Sequence, residues 1–184
     1  IAGVAGGKMH TARSRNDQAQ LDVRLYARSA IDNIIAVIRR LQATIISKAE
    51  ENFGVMFPGY THMQTGQPIL FSHWMMAYFW MLERDVGRFK DARKRLNICP
   101  LGTAAMAGTG FNIDRDMTAL ELGFSAPSEN SVDTIADRDH LIEINSAAST
   151  CMMHLSRLCE EIVFFATQDF RFFELSDDFC TGSS

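Results

Sequence analysis

What this 184-residue chain has little of is punctuation. It contains four prolines, and neither glycine nor proline occurs from Lys8 to Phe53 or from Ser128 to Thr181. A β-rich domain needs a turn every ~8–12 residues, and turns draw on Gly, Pro and Asn. Runs of this length therefore exclude a sandwich or barrel and predict long helices. Paired cysteines are also lacking. Cys99, Cys151, Cys159 and Cys180 form no C-x-x-C pair, which excludes the common zinc modules and predicts reduced thiols and a cytoplasmic setting. No signal-peptide pattern stands at the N-terminus. The most apolar stretch, Ile69 to Leu82, contains Ser72 and His73 and falls short of the ~20 residues of a membrane span, so it predicts a buried helix. Basic charge is scarce: 18 Lys and Arg against 22 Asp and Glu give a net charge of −4. That balance argues against a dedicated nucleic-acid binder and a basic membrane-surface protein.

What is present is helical periodicity in a chain that is 47 % apolar. Ser14 and Asp17 make an S-x-x-D cap pattern, predicting a first helix from near Asp17. Leu21, Leu25, Ile31, Ile34, Ile38, Leu41 and Ile45 follow at helical spacing, and Asn52 to Gly54 end it. A loop is predicted from Phe57 to Gln67, with Pro68 in the first turn of a second helix reaching about Leu96. The first half of that helix is apolar on every side, which suits a bundle centre or a subunit interface. Asp114 to Leu122 predicts a short helix, ended by Gly123. A third long helix is predicted from about Val132 to Phe170. Three helices of 30 or more residues would each be roughly 45–55 Å long, beyond the ~30–40 Å diameter expected of a compact chain of this size. The expected fold is therefore all-α, with long antiparallel helices contributing to a multi-subunit bundle.

Three polar segments interrupt this framework. His10 to Gln18 crowds Arg13, Ser14, Arg15 and Asn16 at a helix start. It reads either as an anion site, where backbone N–H groups and arginine forks meet a carboxylate, or as a solvated charged cap. Gly59 to Pro68 carries Thr61, His62 and two glutamines between apolar helices. It reads as a catalytic loop, histidine being suited to proton transfer near neutral pH, or as a turn with a surface histidine. Ser176 to Ser184 reads as a mobile tail. Arg138, inside D-R-D-H, reads on its own as a partner of its neighbouring acids. His73, His140 and His154 read as structural.

These residues also carry a resemblance. H-T-A-R-S-R-N-D-Q, G-Y-T-H-M-Q-T-G-Q-P, S-E-N-S-V-D-T-I-A-D-R-D and L-S-D-D-F-C-T-G-S-S resemble, in order and spacing, segments of the argininosuccinate lyase/δ-crystallin family of the fumarase/aspartase superfamily. The resemblance implies β-elimination of argininosuccinate to arginine and fumarate, without a metal or organic cofactor. It implies substrate binding by Ser14, Arg15, Asn16, Thr61 and Arg138, and proton transfer by His62 and Ser183, with Ser183 favoured as base and His62 as acid. It implies a homotetramer with sites built from three subunits, and no nucleic-acid or membrane partner. Independently of it, Asn16 and His62 stand at opposite ends of a ~35-residue helix and cannot meet one small substrate within one chain. Ala12 stands where the family has glycine. The family's Met-x-x-Lys-x-Asn segment and C-terminal helical domain are expected to lie outside these 184 residues. Residues 1–16 are accordingly expected to be the end of an N-terminal region and 17–184 a central bundle domain, with little activity as a separate piece. A δ-crystallin-like structural protein and another lyase of the superfamily are the alternatives.

Overall fold

The computed structural model describes residues 3–182. Their order is α1 (Gly3–Gly7), a 3-10 turn, α2 (Arg15–Glu51), β1 (Met56–Thr61), β2 (Gln64–Leu70), α3 (Phe71–Leu96), β3 (Ile98–Cys99), α4 (Arg115–Glu121), β4 (Ala126–Pro127), α5 (Ser131–Ala136), α6 (Asp139–Phe165) and a second 3-10 turn. The fold is helical, as expected. Two compact units divide it. One holds the chain up to Arg40 with Val86–Asn145, the other Leu41–Asp85 with the chain from Ser146 onward.

In the first unit, α2 begins where the cap pattern predicts. The Ser14 N–H donates to Asp17 Oδ1 at 2.9 Å and the Asn16 N–H to Ser14 Oγ at 3.2 Å, so helix N–H groups without intrahelical partners are satisfied. Leu21 packs with Cys99, Ala119 and Phe124 in a small core. The inward face of α2 is not apolar throughout. Asp17, Gln20 and Arg24 are buried, and Arg28 stacks on Phe124 at 4.7 Å. Arg24 Nη1 donates to the Leu96 carbonyl at the end of α3. Arg28 donates to the Leu122 and Gly123 carbonyls at the end of α4. Both cations thus meet the negative ends of helix dipoles. Asp114 caps α4 by accepting from the Met117 N–H, and Asn130 caps α5. β3 and β4 pair in parallel.

Two expectations fail in instructive ways. The predicted loop at Phe57–Gln67 is an antiparallel hairpin, and Pro68 lies in β2 opposite Pro58 rather than inside α3, which starts at Phe71. The strands lack the alternation that would announce them, and both accommodate proline because a two-stranded ribbon has two open edges. A bulge falls between Pro58 and Tyr60; a Cβ on Gly59 would stand 2.7 Å from the Gln67 carbonyl oxygen, so only glycine fits. The predicted third helix is two, α5 and α6, broken at Asp137 (φ −58°, ψ 127°). Asp137 Oδ1 accepts the Asp139 N–H at 2.8 Å and starts α6, a break that needs neither glycine nor proline. Of the long helices only α2, at 37 residues, exceeds 30; α3 and α6 have 26 and 27.

In the second unit the hairpin is anchored by aromatic rings. Phe57, buried, contacts Phe71, Trp74, Phe165, Phe172 and Phe173 with centroids 5.1–5.9 Å apart. Deeper in the unit, His154 Nδ1 lies 2.7 Å from Asp85 Oδ2, and Asp85 has no exposed surface. Burial and the Asp85 carboxylate push the Cys151 thiol up to about 11.

Backbone strain sits at two of the segments singled out by sequence, and also at Ala104 (φ 51°) and Arg171 (φ 50°). His62 and Met63, the two turn residues, have φ of 52° and 59°, and Ala12 has φ of 60°. A two-residue turn with both φ positive is the mirror-image type that favours Asn-Gly, and the left-handed region costs a non-glycine residue ~1–2 kcal/mol. Ala12 is therefore strained where the resembling family has glycine. Met63→Gly and Ala12→Gly are each expected to raise stability by roughly 0.5–1 kcal/mol, the relief of strain less glycine's extra chain entropy. A rise in the denaturant midpoint checks this; an unchanged or lower midpoint contradicts the left-handed backbone.

Candidate functional site

The expected site residues fall into two groups. Ser14, Arg15, Asn16 and Arg138 lie in the first unit, Thr61 and His62 in the second. Ser183 lies outside the described residues.

At the start of α2, Ser14 is engaged in the cap, while Arg15 and Asn16 are exposed. Asp17 is the anchor beneath them. Its Oδ2 accepts the Ala104 N–H at 2.9 Å, and Asn16 Nδ2 donates to the Ala105 carbonyl at 3.3 Å. The helix start is thereby clipped to the glycine- and alanine-rich connection at residues 102–110. The outcome combines both readings of this segment: a capped helix end whose exposed residues can still face an anion.

About one and two turns beyond Asp17, Gln20 and Arg24 reach the break between α5 and α6. Arg24 Nη2 pairs with Asp137 Oδ2 at 2.6 Å, and His140 Nδ1 lies 3.2 Å from the same oxygen. Burial raises the Asp137 carboxyl, but the Asp139 N–H, His140 and Arg24 outweigh it and hold the group below the ordinary range. Burial, then the Arg24 charge, lowers His140 despite Asp137. The neutral ring therefore donates Nδ1–H to Asp137, leaving Nε2 buried without a hydrogen-bond partner among the described residues. Arg138 does not pair with its neighbouring acids. Its Nη1 donates to the Ile135 and Asp137 carbonyls at 3.1 and 2.7 Å, and its side chain is exposed. Charge that local acids do not neutralise can meet an anionic ligand.

In the second unit, Thr61 and His62 stand at the exposed tip of the hairpin. The turn fixes their backbone. The aromatic cluster fixes its base, where the Phe71 N–H also donates to the Val55 carbonyl at 2.9 Å. An imidazole on a stiff projection can transfer a proton to whatever covers the tip. Sequence reasoning missed Gln20, Arg24 and Asp137 as organisers of the site. Their available signal was the spacing of Asp17, Gln20, Arg24 and Arg28, polar residues recurring on one helical face. Among the described residues, no group of three or more His, Cys, Asp or Glu side chains is arranged to hold a metal ion, and no helix is long and apolar enough to cross a membrane.

Comparison with known proteins bears on the chemistry. Residues 3–184 match the family described as "Lyase". Argininosuccinate lyases from Syntrophotalea carbinolica and Bacillus pumilus are each 54 % identical over 182 residues, which is 99 % of this chain and 40 % of theirs. That of Thermus thermophilus is 52 % identical over 186 residues. Among solved structures, an EDDS lyase in complex with formate superposes with a TM-score of 0.96 at 34 % identity, covering 99 % of this chain and 37 % of that one. The chain spans about 40 % of the length of the curated relatives it matches.

The His140–Asp137 geometry sets a pH dependence. Both groups are lowered in the folded state, so the unfolded chain binds protons first as pH falls. The His140 contribution is complete above the ordinary value of 6.5 and is lost as pH drops below it. The Asp137 contribution follows below 3.8. Unfolding free energy should therefore decline from pH 6.5 towards 5, and His140→Gln should flatten that decline. An equal slope in the variant, measured by denaturant titration at several pH values, contradicts the assignment.

Proposed function

This chain belongs to the lyase family, within the fumarase/aspartase superfamily, and we propose that the protein carrying it is an argininosuccinate lyase. Residues 1–16 close its N-terminal region and 17–184 form its central bundle domain. The observation that carries the reading is the presentation of His62 in a strained two-residue turn, beside Thr61 at the end of β1, on a hairpin with an anchored base, a projection suited to a reacting group rather than to packing.

The reaction removes a proton from the carbon beside a carboxylate and then breaks the C–N bond to the guanidinium. The electron pair from the C–H bond forms the C=C of fumarate, and the departing nitrogen receives a proton. Ser183 serves as the base and His62 as the acid; the serine hydroxyl requires activation by its surroundings. The barrier lies in the doubly charged aci-carboxylate left by proton removal. Donors fixed before the reaction lower it; Ser14, Arg15, Asn16 and Thr61 fill that role, and Arg138 binds a substrate carboxylate. No metal or organic cofactor enters the scheme. In the full-length protein, His62→Asn should lower kcat by roughly 10²–10⁴-fold, the usual weight of a general acid or base, with fumarate release followed by ultraviolet absorbance. Unchanged turnover sinks the assignment. Turnover of a different amino-substituted dicarboxylate but not argininosuccinate moves the protein to another C–N lyase.

The assembly we propose is a homotetramer with shared sites, in the cytoplasm. Support comes from α2, about 55 Å long at 37 residues, and from large apolar side chains left exposed on the long helices: Tyr26 79 %, Ile142 68 %, Met152 63 % and Trp80 58 %. Shared sites have a direct test. Mixing full-length His62→Asn and Arg138→Met variants under exchange conditions, at a substrate concentration far below the raised KM, should give activity well above the sum of the two variants measured separately. No recovery, with mixed oligomers demonstrated, refutes sites that draw on more than one chain.

A further inference from the structure

The break between α5 and α6 strands two carbonyl groups. In a continuous helix the Ile135 carbonyl would accept the Asp139 N–H and the Asp137 carbonyl the Leu141 N–H. Here the Asp139 N–H goes to Asp137 Oδ1, and the Leu141 N–H goes to the Arg138 carbonyl. Both stranded oxygens have two lone pairs to satisfy.

Two side chains supply the hydrogens. Gln20 Nε2 donates to the Ile135 and Asp137 carbonyls at 2.9 and 3.0 Å. Arg138 Nη1 donates to the same two oxygens at 3.1 and 2.7 Å. Each of these nitrogens carries two hydrogens, so four hydrogens meet four lone pairs and none is left over. Gln20 is 3 % exposed and approaches from α2, whereas Arg138 is exposed. Among the described residues, Arg138 Nη2 and Nε have no partner, and together they form the side-on fork that takes a carboxylate in two hydrogen bonds.

We infer that Gln20 is a positioning residue for Arg138: it fills one lone pair on each stranded carbonyl, fixing the pair of acceptors that locks Nη1 and so aims the Nη2/Nε fork at a substrate carboxylate. The inference rests on the reading of Arg138 as a carboxylate-binding residue. Without the Gln20 amide, the carbonyls are free to turn towards other donors, and the guanidinium loses its fixed orientation while keeping its charge. Gln20 touches no substrate itself.

The test is a double-mutant cycle in the full-length enzyme, assayed by fumarate release from argininosuccinate. Gln20→Met should raise KM about tenfold, with kcat changed less than about threefold. Arg138→Met should raise KM more. The double variant should match Arg138→Met within about twofold, because Gln20 acts only through the arginine. If Gln20→Met does not fold, Gln20→Asn, which keeps the amide one methylene short, should give a smaller KM rise that likewise disappears in the Arg138→Met background. Equal KM effects of the Gln20 substitution in both backgrounds overturn the inference and leave the Arg138 assignment intact. An unchanged KM in Arg138→Met removes that assignment, and this inference with it.

Discussion

A carboxylate with no exposed surface, Asp17, is the constraint on which the arrangement of the first unit depends. Burying an ionised carboxylate is costly unless it is hydrogen-bonded. Here its two oxygens accept two backbone N–H groups, from Ser14 and Ala104, and it sits at the positive end of the α2 dipole. One side chain therefore caps the longest helix and fastens the connection after β3 to it. The next polar residues on the same face extend the scheme. Gln20 and Arg24 reach the α5–α6 break, and Arg28 reaches the end of α4. The exposed Arg15, Asn16 and Arg138 thus all rest on α2, directly or through one buried intermediate.

The second unit solves a different problem, holding a small hairpin rigid. A two-stranded ribbon is marginal by itself in water, and this one also carries two left-handed residues at its turn. Ring contacts of about 0.5–1.5 kcal/mol each are large enough to offset that strain, and Phe57 alone touches five rings. The chain after α6 folds back to supply two of them, with the Phe172 and Phe173 N–H groups donating to the Phe165 carbonyl. Stiffness at the base becomes orientation at the tip, where Thr61 and His62 stand.

The helices were legible because their evidence is local: long stretches without glycine or proline, apolar periodicity, and the cap pattern of Ser14 and Asp17. The hairpin was not, because Pro58, Gly59, Gly66 and Pro68 read as loop residues, while its stability comes from rings distant in sequence. The α5–α6 break was equally hidden. Asp137 ends one helix and starts the next with its side chain, and Arg24, from another helix, pairs with it at 2.6 Å. Local rules report what a segment prefers; these two features are decided by partners from elsewhere in the chain. The signature segments fall at the start of α2, the hairpin and the α5–α6 break, yet Gln20 and Arg24, which reach that break from α2, were visible only as polar interruptions of an apolar stripe.

Exposure links the chemistry to the proposed assembly. A unit charge 4 Å from a developing negative charge is worth about 1 kcal/mol in bulk water and about 4 kcal/mol at an effective dielectric of 20. Arg138, Thr61 and His62 are all exposed in a single chain. In that setting their donors would act near the lower figure, too little to stabilise an aci-carboxylate substantially. The same side chains become effective when other surfaces exclude water around them. Apolar residues left uncovered on α2, α3 and α6 are the surface on which the proposed assembly would form. In the proposed assembly, oligomerisation would raise the rate by lowering the dielectric around groups that each chain already presents.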